Sequence, residues 1–318
     1  MTHTATAIRS EGLTRRFDDI LAVDGLDLDV RIGEIFSLLG PNGAGKTTSI
    51  RMMTGTLRPS SGKVFFGDDK ITSHSEEIKK RVGVCPQEVV VWEKLNCLEN
   101  LTLMGRMFGI PKRSAQAKAK ELLASVGLED KARVRAAKLS GGMKKRLNLA
   151  MALVHDPDIL VLDEPITGLD PQSRLLISDF IRDLCREQGK TVILTTHLME
   201  VAARLSDRIA IIDHGKLQAL DTLENLRKTI GEGDIVEVSI TGDVESEKVL
   251  DVIRAFKGVE TAGLYEGKIR FQALDAINLL PDVSRSVDSM GGRIEGLSVH
   301  SNTLEDIFIF LTGRKLRN

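Results

Sequence analysis

The sequence has few cysteines, almost no net charge and no long apolar run, and each of these absences excludes a class of protein. Of its 318 residues only three are cysteine, at positions 85, 97 and 185, with no Cys-x-x-Cys spacing among them. An odd number of isolated cysteines argues against a disulfide framework or a structural zinc site. We therefore expect reduced thiols and a cytoplasmic protein.

The apolar segments are as short as β-strands. None approaches the roughly 20 consecutive apolar residues that a helix needs to cross a bilayer. The beginning of the chain, Met1-Thr-His-Thr-Ala-Thr-Ala7, has no positive segment followed by an apolar one, which a secretory signal would require. We expect neither a membrane span nor a secretion signal.

Positive and negative charges nearly cancel, because 44 Lys and Arg residues face 45 Asp and Glu residues and leave a formal net charge of -1. Nucleic-acid partners are usually signalled by a basic excess or a basic stripe, so no nucleic-acid partner is expected. A composition of 42% hydrophobic and 28% charged residues is typical of a globular protein. The length favours one large and one small domain.

The order of the apolar segments predicts an α/β main domain. Alternating segments such as residues 26–30 predict antiparallel strands, whereas the continuous apolar run at 35–39 predicts a buried strand. Helical spacing between about residues 87 and 138 predicts a helical insert. The runs that predict further strands of a parallel sheet are 159–162, 191–194 and 209–212.

A glycine-rich, charged segment at residues 229–233 predicts a boundary between a first domain, 1–228, and a second domain, 229–318. The second domain shows period-two and helical segments in turn. Its predicted strands are 235–240, 259–264, 268–271 and 293–299, and its predicted helices are 249–256, 276–290 and 304–311. This β-α-β-β-α-β order predicts a small ferredoxin-like α+β domain, and no catalytic cluster is visible in it.

Residues 40–48 read Gly-Pro-Asn-Gly-Ala-Gly-Lys-Thr-Thr and lie between an apolar strand and a helical pattern. In such a loop the glycines let backbone amides surround phosphates, Lys46 neutralises their charge and the Thr47 hydroxyl reaches Mg2+. The helix behind the loop adds the positive end of its dipole. A chance glycine-rich turn would not be expected to carry the Lys-Thr pair directly after a buried strand. The segment predicts binding of ATP with Mg2+.

Two carboxylates, Asp163 and Glu164, follow the apolar run at 159–162. Ligands of α/β sheets collect at this end of the strands. We expect Asp163 to hold magnesium through its water shell and Glu164 to act as the general base on the attacking water. Two acids at a strand end are otherwise a solvated edge, an interpretation that the phosphate loop disfavours.

The segment Leu139-Ser-Gly-Gly-Met143, called the signature segment below, precedes the acidic strand and opens an amphipathic helix. Ser140 in this position would cap the helix. A capped helix N-terminus with two glycines is also an anion site, so the two interpretations are compatible.

Taken in order, these motifs resemble the ATP-binding cassette (ABC) family over residues 8–228. The matching positions are the phosphate loop, Gln87, the signature segment, Asp163-Glu164, residues 168–171 and His197. The resemblance implies the fold of a P-loop ABC ATPase, with a mixed sheet core, an antiparallel β subdomain and a helical insert. Two positions differ from the usual pattern: Ile166 replaces a Thr after Pro165, and Met143 replaces a Gln. Neither change removes a phosphate or metal ligand.

The resemblance also assigns roles to individual residues. Gln87 would contact magnesium and water, His197 would contact the γ-phosphate and orient Glu164, and Phe17 would stack on adenine. Taken alone, Gln87 could be a surface residue, His197 a structural histidine and Phe17 a core residue. The catalytic residues so implied are Glu164, His197, Gln87 and Lys46. The metal ligands are Thr47, Gln87 and Asp163. The residues implied in ATP binding are Phe17, Gly40, Pro41, Asn42, Gly43, Ala44, Gly45, Lys46, Thr47, Thr48, Ser140, Gly141, Gly142 and Asp170.

In the ABC family the signature segment of one copy closes on the γ-phosphate held by another copy, and the segment containing Asp170 runs across the dimer. This chain has one copy of each motif. The resemblance therefore implies a second nucleotide-binding subunit, with a homodimer as the simplest case. It further implies a separate transmembrane permease subunit that docks beside Gln87 and the helical insert, with Trp92 as the candidate contact. The protein would then be attached peripherally to the inner face of the membrane.

The end of the chain, residues 301–314, together with residues 139–146, resembles the drug-resistance branch of ABC exporter ATPases. In that branch the second domain is a dimer-stabilising or regulatory addition, although a folding appendage without specific chemistry is the plain alternative. The other functional class is a soluble ABC ATPase acting on nucleic acid or ribosomes. It would predict two cassettes in one chain or a long coiled-coil insertion, and the sequence has neither.

Overall fold

The structure, a computed structural model, describes residues 5–70, 80–229, 233–242, 244–265 and 267–313. It divides into two compact units, the first ending at Thr222 and the second beginning at Leu223. The boundary predicted after residue 228 follows this division by one short helix, Leu223–Lys228. Residues 230–232 of the predicted boundary segment, Glu266 between the predicted strands 259–264 and 268–271, and Arg314 of the tail lie outside the described residues.

The first unit is built on two sheets. The antiparallel sheet consists of β1 (Thr6–Phe17), β2 (Ile20–Arg31), β4 (Ser61–Phe66) and β5 (Asp69–Lys70), in the order β2-β1-β4-β5. The second sheet consists of β3 (Ile35–Leu39), β6 (Val82–Cys85), β7 (Ile159–Asp163), β8 (Thr191–Thr196), β9 (Arg208–Asp213) and β10 (Lys216–Asp221). Its order is β10-β9-β3-β8-β7-β6, with every pair parallel except β10 and β9.

The α-helices of the first unit whose bounds lie within the described residues are α1 (Lys46–Met53), α2 (Cys97–Met107), α3 (Lys112–Ser125), α4 (Gly141–Ala152), α5 (Pro171–Arg186) and α6 (Met199–Leu205). The helical insert therefore begins later than the predicted residue 87. Asn96 and Glu99 form a capping box, each side chain bonding the other's backbone amide, and this fixes the start of α2. Residues 87–96 are turn and irregular structure instead.

Alternate residues of the parallel strands enter two different hydrophobic clusters. Leu160 and Leu162 of β7 belong to the helix-side cluster, which includes Leu101, Leu147 and Ile181. Ile159 and Val161 point the other way into the sheet-side cluster, which includes Leu13, Leu26 and Phe36. Because both faces of the parallel sheet are covered, its strands read as continuous apolar runs, which is the reason that they were predictable.

The strand order brings three chain segments to one edge of this sheet. β8 lies between β3 and β7, with Leu39 opposite Thr196 and Asp163 opposite Thr195. Parallel strands end at the same edge, so the loop after β3, the acids after β7 and the polar end of β8 meet there.

The second unit consists of α7 (Leu223–Lys228), β11 (Asp234–Gly242), α8 (Ser246–Arg254), β12 (Val259–Tyr265), β13 (Lys268–Ala273), α9 (Ala276–Ser289), β14 (Gly292–Ser301) and α10 (Leu304–Thr312). Its antiparallel sheet has the order β12-β13-β11-β14. The β-α-β-β-α-β order predicted for this region is present, followed by α10. A separate core that includes Val236, Phe271 and Val287 holds the unit together.

Among the described residues, each helix is too short or too polar to act as a membrane span.

Candidate nucleotide-binding site

The loop at residues 40–45 joins β3 to α1 and lies tightly against its neighbours. A Cβ atom on Gly40 would lie 2.2 Å from the carbonyl oxygen of Ile212, and one on Gly45 would lie 2.4 Å from that of Ala22. Gly45 also has a φ of 98°, in the left-handed region that favours glycine. Since α1 begins at Lys46, the first amides of the helix have no acceptor within it and face an incoming anion.

Lys46 is a buried cation, with 7% of its side chain exposed. Its Nζ lies 2.8 Å from the carbonyl oxygen of Gly40, 3.1 Å from that of Pro41 and 3.6 Å from Oε1 of Glu164. Burial lowers the pKa of Lys46, and the neighbouring Glu164 carboxylate opposes part of that change. The ammonium group therefore stands in the loop among acceptors that phosphate oxygens can replace.

Asp163, at the end of β7, is bonded by two hydroxyl groups that come from other elements. Thr47 at the start of α1 donates to its Oδ2 at 2.9 Å, and Thr195 at the end of β8 donates to its Oδ1 at 2.5 Å. The Thr47 hydroxyl and an Asp163 carboxylate oxygen thus lie side by side next to the phosphate loop. Hard oxygen ligands of this kind suit Mg2+, which keeps most of its own waters.

Glu164 is buried and has an unusual backbone, with a φ of 51°. Such left-handed strain in a residue that is not glycine occurs most often at functional sites. Its Oε1 lies 2.9 Å from Nδ1 of His197, and its Oε2 accepts a 2.6 Å hydrogen bond from Thr167. The structure therefore brings Lys46 and His197 to the same oxygen of Glu164, and the contact of His197 with Glu164 is the one that the resemblance implied.

We call the six residues Lys46, Thr47, Asp163, Glu164, Thr195 and His197 the phosphate-side cluster. Gln87 is exposed and lines a small cavity beside it, together with Asp163 and Glu164. The role of Gln87 in contacting metal and water stays a prediction. Among the described residues there is no group of three or more His, Cys, Asp and Glu side chains suited to a metal. A magnesium ion bound chiefly to phosphates and water needs no such group.

The signature segment is placed differently. Ser140 caps α4, accepting a 3.3 Å hydrogen bond from the backbone amide of Met143, and both Ser140 and Gly141 are exposed. Within the part of the chain that the structure describes, no hydrogen bond connects them to the phosphate loop. Asp170 is also exposed and caps α5 through the amide of Ser173, and these bonds lower its pKa. These predicted ATP contacts lie outside the cluster.

Phe17 is 39% exposed, so it is not an ordinary core phenylalanine. The Arg15 guanidinium group lies 4.5 Å from the centre of its ring. An exposed aromatic ring is a surface on which a base can stack.

Three contributors to this region were missed by the sequence analysis: Thr195, Thr167 and Lys145. Thr195 bonds Asp163, and Thr167 bonds Glu164. Lys145, on α4, donates to the backbone carbonyl of Thr167. The polar end of β8 is a weak signal for Thr195, but no sequence pattern indicated the other two.

Comparison with known proteins identifies the family. The sequence model for the ABC transporter family matches residues 23–167. The daunorubicin resistance ATP-binding protein DrrA2 of Streptomyces coeruleorubidus is 36% identical over 98% of this chain and 97% of its own length. The Nod factor export ATP-binding protein I of Burkholderia lata is 39% identical over 96% of both chains.

Among solved structures, the dimeric post-hydrolysis state of the ATP-binding cassette MJ0796, bound to ADP and Pi, has a TM-score of 0.62 and 27% identity. The match covers 68% of this chain and 98% of that one. These relatives support a transporter ATPase and give no support to the alternative of an ATPase acting on nucleic acid or ribosomes. The chain belongs to the ABC transporter ATP-binding proteins: it is an ATP-binding, ATP-hydrolysing subunit of a type that dimerises and works with a transmembrane subunit.

Proposed function

We propose that this chain powers an exporter, and that ATP hydrolysis takes place at the phosphate-side cluster. The observation that carries the proposal is the convergence of Lys46, Asp163, Glu164 and His197, from three separate segments, on one edge of the parallel sheet. Polar side chains gathered in a largely buried site next to a glycine loop are what phosphoryl transfer requires.

Mg2+ fits this site. Thr47, Asp163 and Gln87 would hold it, since the hydroxyl and carboxylate oxygens already lie 2.9 Å apart and Gln87 lines the adjoining cavity. When bound, the ion would neutralise charge on the phosphate oxygens.

The remaining chemistry belongs to the protein side chains. The Glu164 carboxylate takes a proton from water as the water oxygen forms a bond to the γ-phosphorus. The bond from that phosphorus to the β–γ bridging oxygen breaks, and ADP leaves with the electron pair. His197, 2.9 Å from Glu164, would fix the carboxylate and contact the γ-phosphate. Lys46 exchanges its contacts with loop carbonyl oxygens for phosphate oxygens.

The site is half of a composite one in this proposal. The exposed signature segment of a second copy would close over the nucleotide, with its helix N-terminus directed at the γ-phosphate. The preferred partner is another copy of this chain, giving two sites per homodimer. Phe17 would support adenine, and Asp170 would lie where the two copies meet.

Export and attachment to the inner face of the membrane are proposed from the relatives, whose names refer to drug resistance and Nod factor export. A separate permease subunit would dock beside Gln87. Val90 in the same segment is 56% exposed, while Trp92 is partly buried against the helix-side cluster. The docking surface would therefore be the segment at residues 87–92. Trp92 would hold this segment in place by packing against the helix-side cluster. The second domain, 229–318, would stabilise or regulate the dimer.

The test of the catalytic assignment is Glu164→Gln. This variant should bind ATP, lose roughly 10²- to 10⁴-fold in turnover and accumulate as a dimer on sizing columns in the presence of ATP. Glu121→Gln, which alters an exposed acid on α3, is the matched control and should behave as the unmodified protein does. Full turnover in Glu164→Gln would overturn the assignment of the base.

The transporter assignment is tested by purifying the tagged chain from native membranes. A polytopic membrane protein should be recovered with it, and fewer copies of that protein should accompany a chain in which Val90 is replaced by Asp. Recovery of ribosomes or DNA without a membrane protein would contradict the proposal.

A further inference from the structure

Glu164 has different neighbours at its two carboxylate oxygens. His197 and Lys46 approach Oε1, at 2.9 and 3.6 Å. Among the described residues, the Thr167 hydroxyl is the hydrogen-bond donor to Oε2, at 2.6 Å. In the proposed mechanism Lys46 turns to the phosphates when ATP binds, so the direction of the carboxylate then depends on His197 and Thr167.

Thr167 lies in the turn that follows β7, where Gly168 has a φ of 73° and Leu169 bonds back to Ile166. Nothing in that turn fixes the Thr167 hydroxyl by itself, because a threonine side chain can rotate between staggered positions. The peptide carbonyl of Thr167, however, accepts a hydrogen bond from the Lys145 ammonium group. This contact holds the turn at the same residue that bonds Glu164.

Lys145 is well placed to be rigid. It lies on α4, five residues after the serine that caps this helix, and its side chain is partly buried. Burial lowers its pKa, while the nearby Cys85 and Glu164 oppose part of that change. Glu164 and Asp163 line the same small cavity as Lys145, whose hydrogen bond is to a neutral carbonyl.

We propose that Thr167 and Lys145 are positioning residues for the general base: Lys145 fixes the turn, and Thr167 aims Oε2 of Glu164 at the attacking water. The inference deepens the proposed function and rests on it, because it assumes that Glu164 is the base. It adds a physical path from the helix that carries the signature segment to the carboxylate in the same chain. In the proposed dimer, this helix of one chain contacts one of the two nucleotides, and Glu164 of the same chain acts on the other.

The test is the steady-state kinetics of Thr167→Val, which keeps the shape of the side chain and removes its hydroxyl. We expect kcat to fall about 10-fold, the effect of losing one hydrogen bond to a charged group, with the KM for ATP unchanged. Thr167→Ser restores the hydroxyl and should restore kcat. A loss in Thr167→Val that Ser does not repair would indicate a packing role and overturn the proposal.

Lys145→Met should lower kcat by roughly 3- to 10-fold, since the turn is loosened and the bond at Glu164 becomes intermittent. Lys144→Met is the matched control: Lys144 is the preceding residue of the same helix and pairs with exposed Glu93 at 2.7 Å. It should keep full activity. The double variant of Thr167→Val and Lys145→Met should be no slower than Thr167→Val alone, because both act through one hydrogen bond. Additive losses would contradict the path.

Glu164→Gln, measured beside these variants, separates the two ideas. If Glu164→Gln hydrolyses ATP normally, the proposed base is wrong and the positioning role fails with it. If Glu164→Gln is inactive while Thr167→Val turns over at the normal rate, the base stands and the positioning role is refuted.

Discussion

The phosphate-side cluster is largely buried and connected by hydrogen bonds, whereas Ser140 and Gly141 of the signature segment are exposed, and the Ser140 side chain makes a capping bond within its own helix. Lys46, Asp163 and Glu164 are each at most 7% exposed; hydroxyl groups bond both carboxylates, and His197 and Lys46 lie 2.9 and 3.6 Å from Glu164. Ser140 and Gly141 stand at the surface at the start of α4. In the proposed dimer, one half of the site is thus completed by folding of the chain, and the other half is supplied when a second copy binds.

The contrast between the buried and the exposed half can be tested first at Gly45, where the phosphate loop contacts its neighbours closely. Gly45→Ala forces a Cβ atom to 2.4 Å from the Ala22 carbonyl oxygen at a φ of 98°, so the loop must move. We expect ATP affinity, measured by titration with a fluorescent nucleotide, to fall by about 100-fold or more. Gly43→Ala is the control: its φ is 81°, but the added atom meets nothing within 4 Å, so the loss should be much smaller. Equal losses would mean that the close contact is unimportant.

The comparison is sharpened by mixing two inactive variants. Lys46→Met removes the buried cation and Ser140→Arg blocks the exposed half, so each alone should lose most ATPase activity, on the order of 10²-fold. In a mixed dimer both defects fall in one site and the other site is intact. An equimolar mixture should recover roughly a quarter of normal activity, because half of the dimers are mixed and each has one good site.

The control for this mixture is a chain that carries both substitutions, which should rescue neither single variant. The folding of each variant is checked by thermal unfolding. No recovery in the mixture of the two single variants would show that the two halves of a site come from the same chain.

The smallest expected effect concerns how fast an alkylating reagent modifies a thiol in the buried half and one in the exposed half. Burial raises the pKa of Cys85, beside the phosphate-side cluster, to about 12, with Asn148 donating to its sulfur at 3.2 Å. The thiolate is the reactive form, so alkylation by iodoacetamide should stay slow as the pH rises from 7 to 10 and should increase only as it approaches 12. Ser140→Cys places a thiol in the exposed half, and it should be modified first, as followed by mass spectrometry. Comparable rates at the two positions would contradict the difference in burial.

Local patterns in the sequence were enough to predict the phosphate loop and the two carboxylates, but not the residues that hold them in place. The phosphate loop and the Asp163-Glu164 pair each lie within one short segment next to an apolar strand, so they could be recognised without a fold. Thr195 could not be assigned in that way. Its bond to Asp163 depends on β8 lying between β3 and β7, and strand order is not readable from spacing.

Two other features were also not predicted from the sequence: the contact between Lys145 and Thr167, and strand β6. Lys145 and Thr167 lie 22 residues apart, and their contact depends on how α4 packs against the end of β7. β6 (Val82–Cys85) was not predicted because it is four residues long and contains a glycine, too little for periodicity to register. In the second unit, by contrast, the elements are regular and amphipathic, and their order was predicted correctly.

The division of β7 between two hydrophobic clusters has a consequence for unfolding. Leu160 and Leu162 anchor one cluster while Ile159 and Val161 anchor the other, so neither cluster can come apart without detaching the strand that ends at Asp163. Because the two hydrophobic clusters share this strand, we expect them to unfold in one cooperative transition. Damage far from the nucleotide, in either cluster, is therefore felt as a lower melting temperature of the whole ATPase unit, and the active site disappears in the same transition.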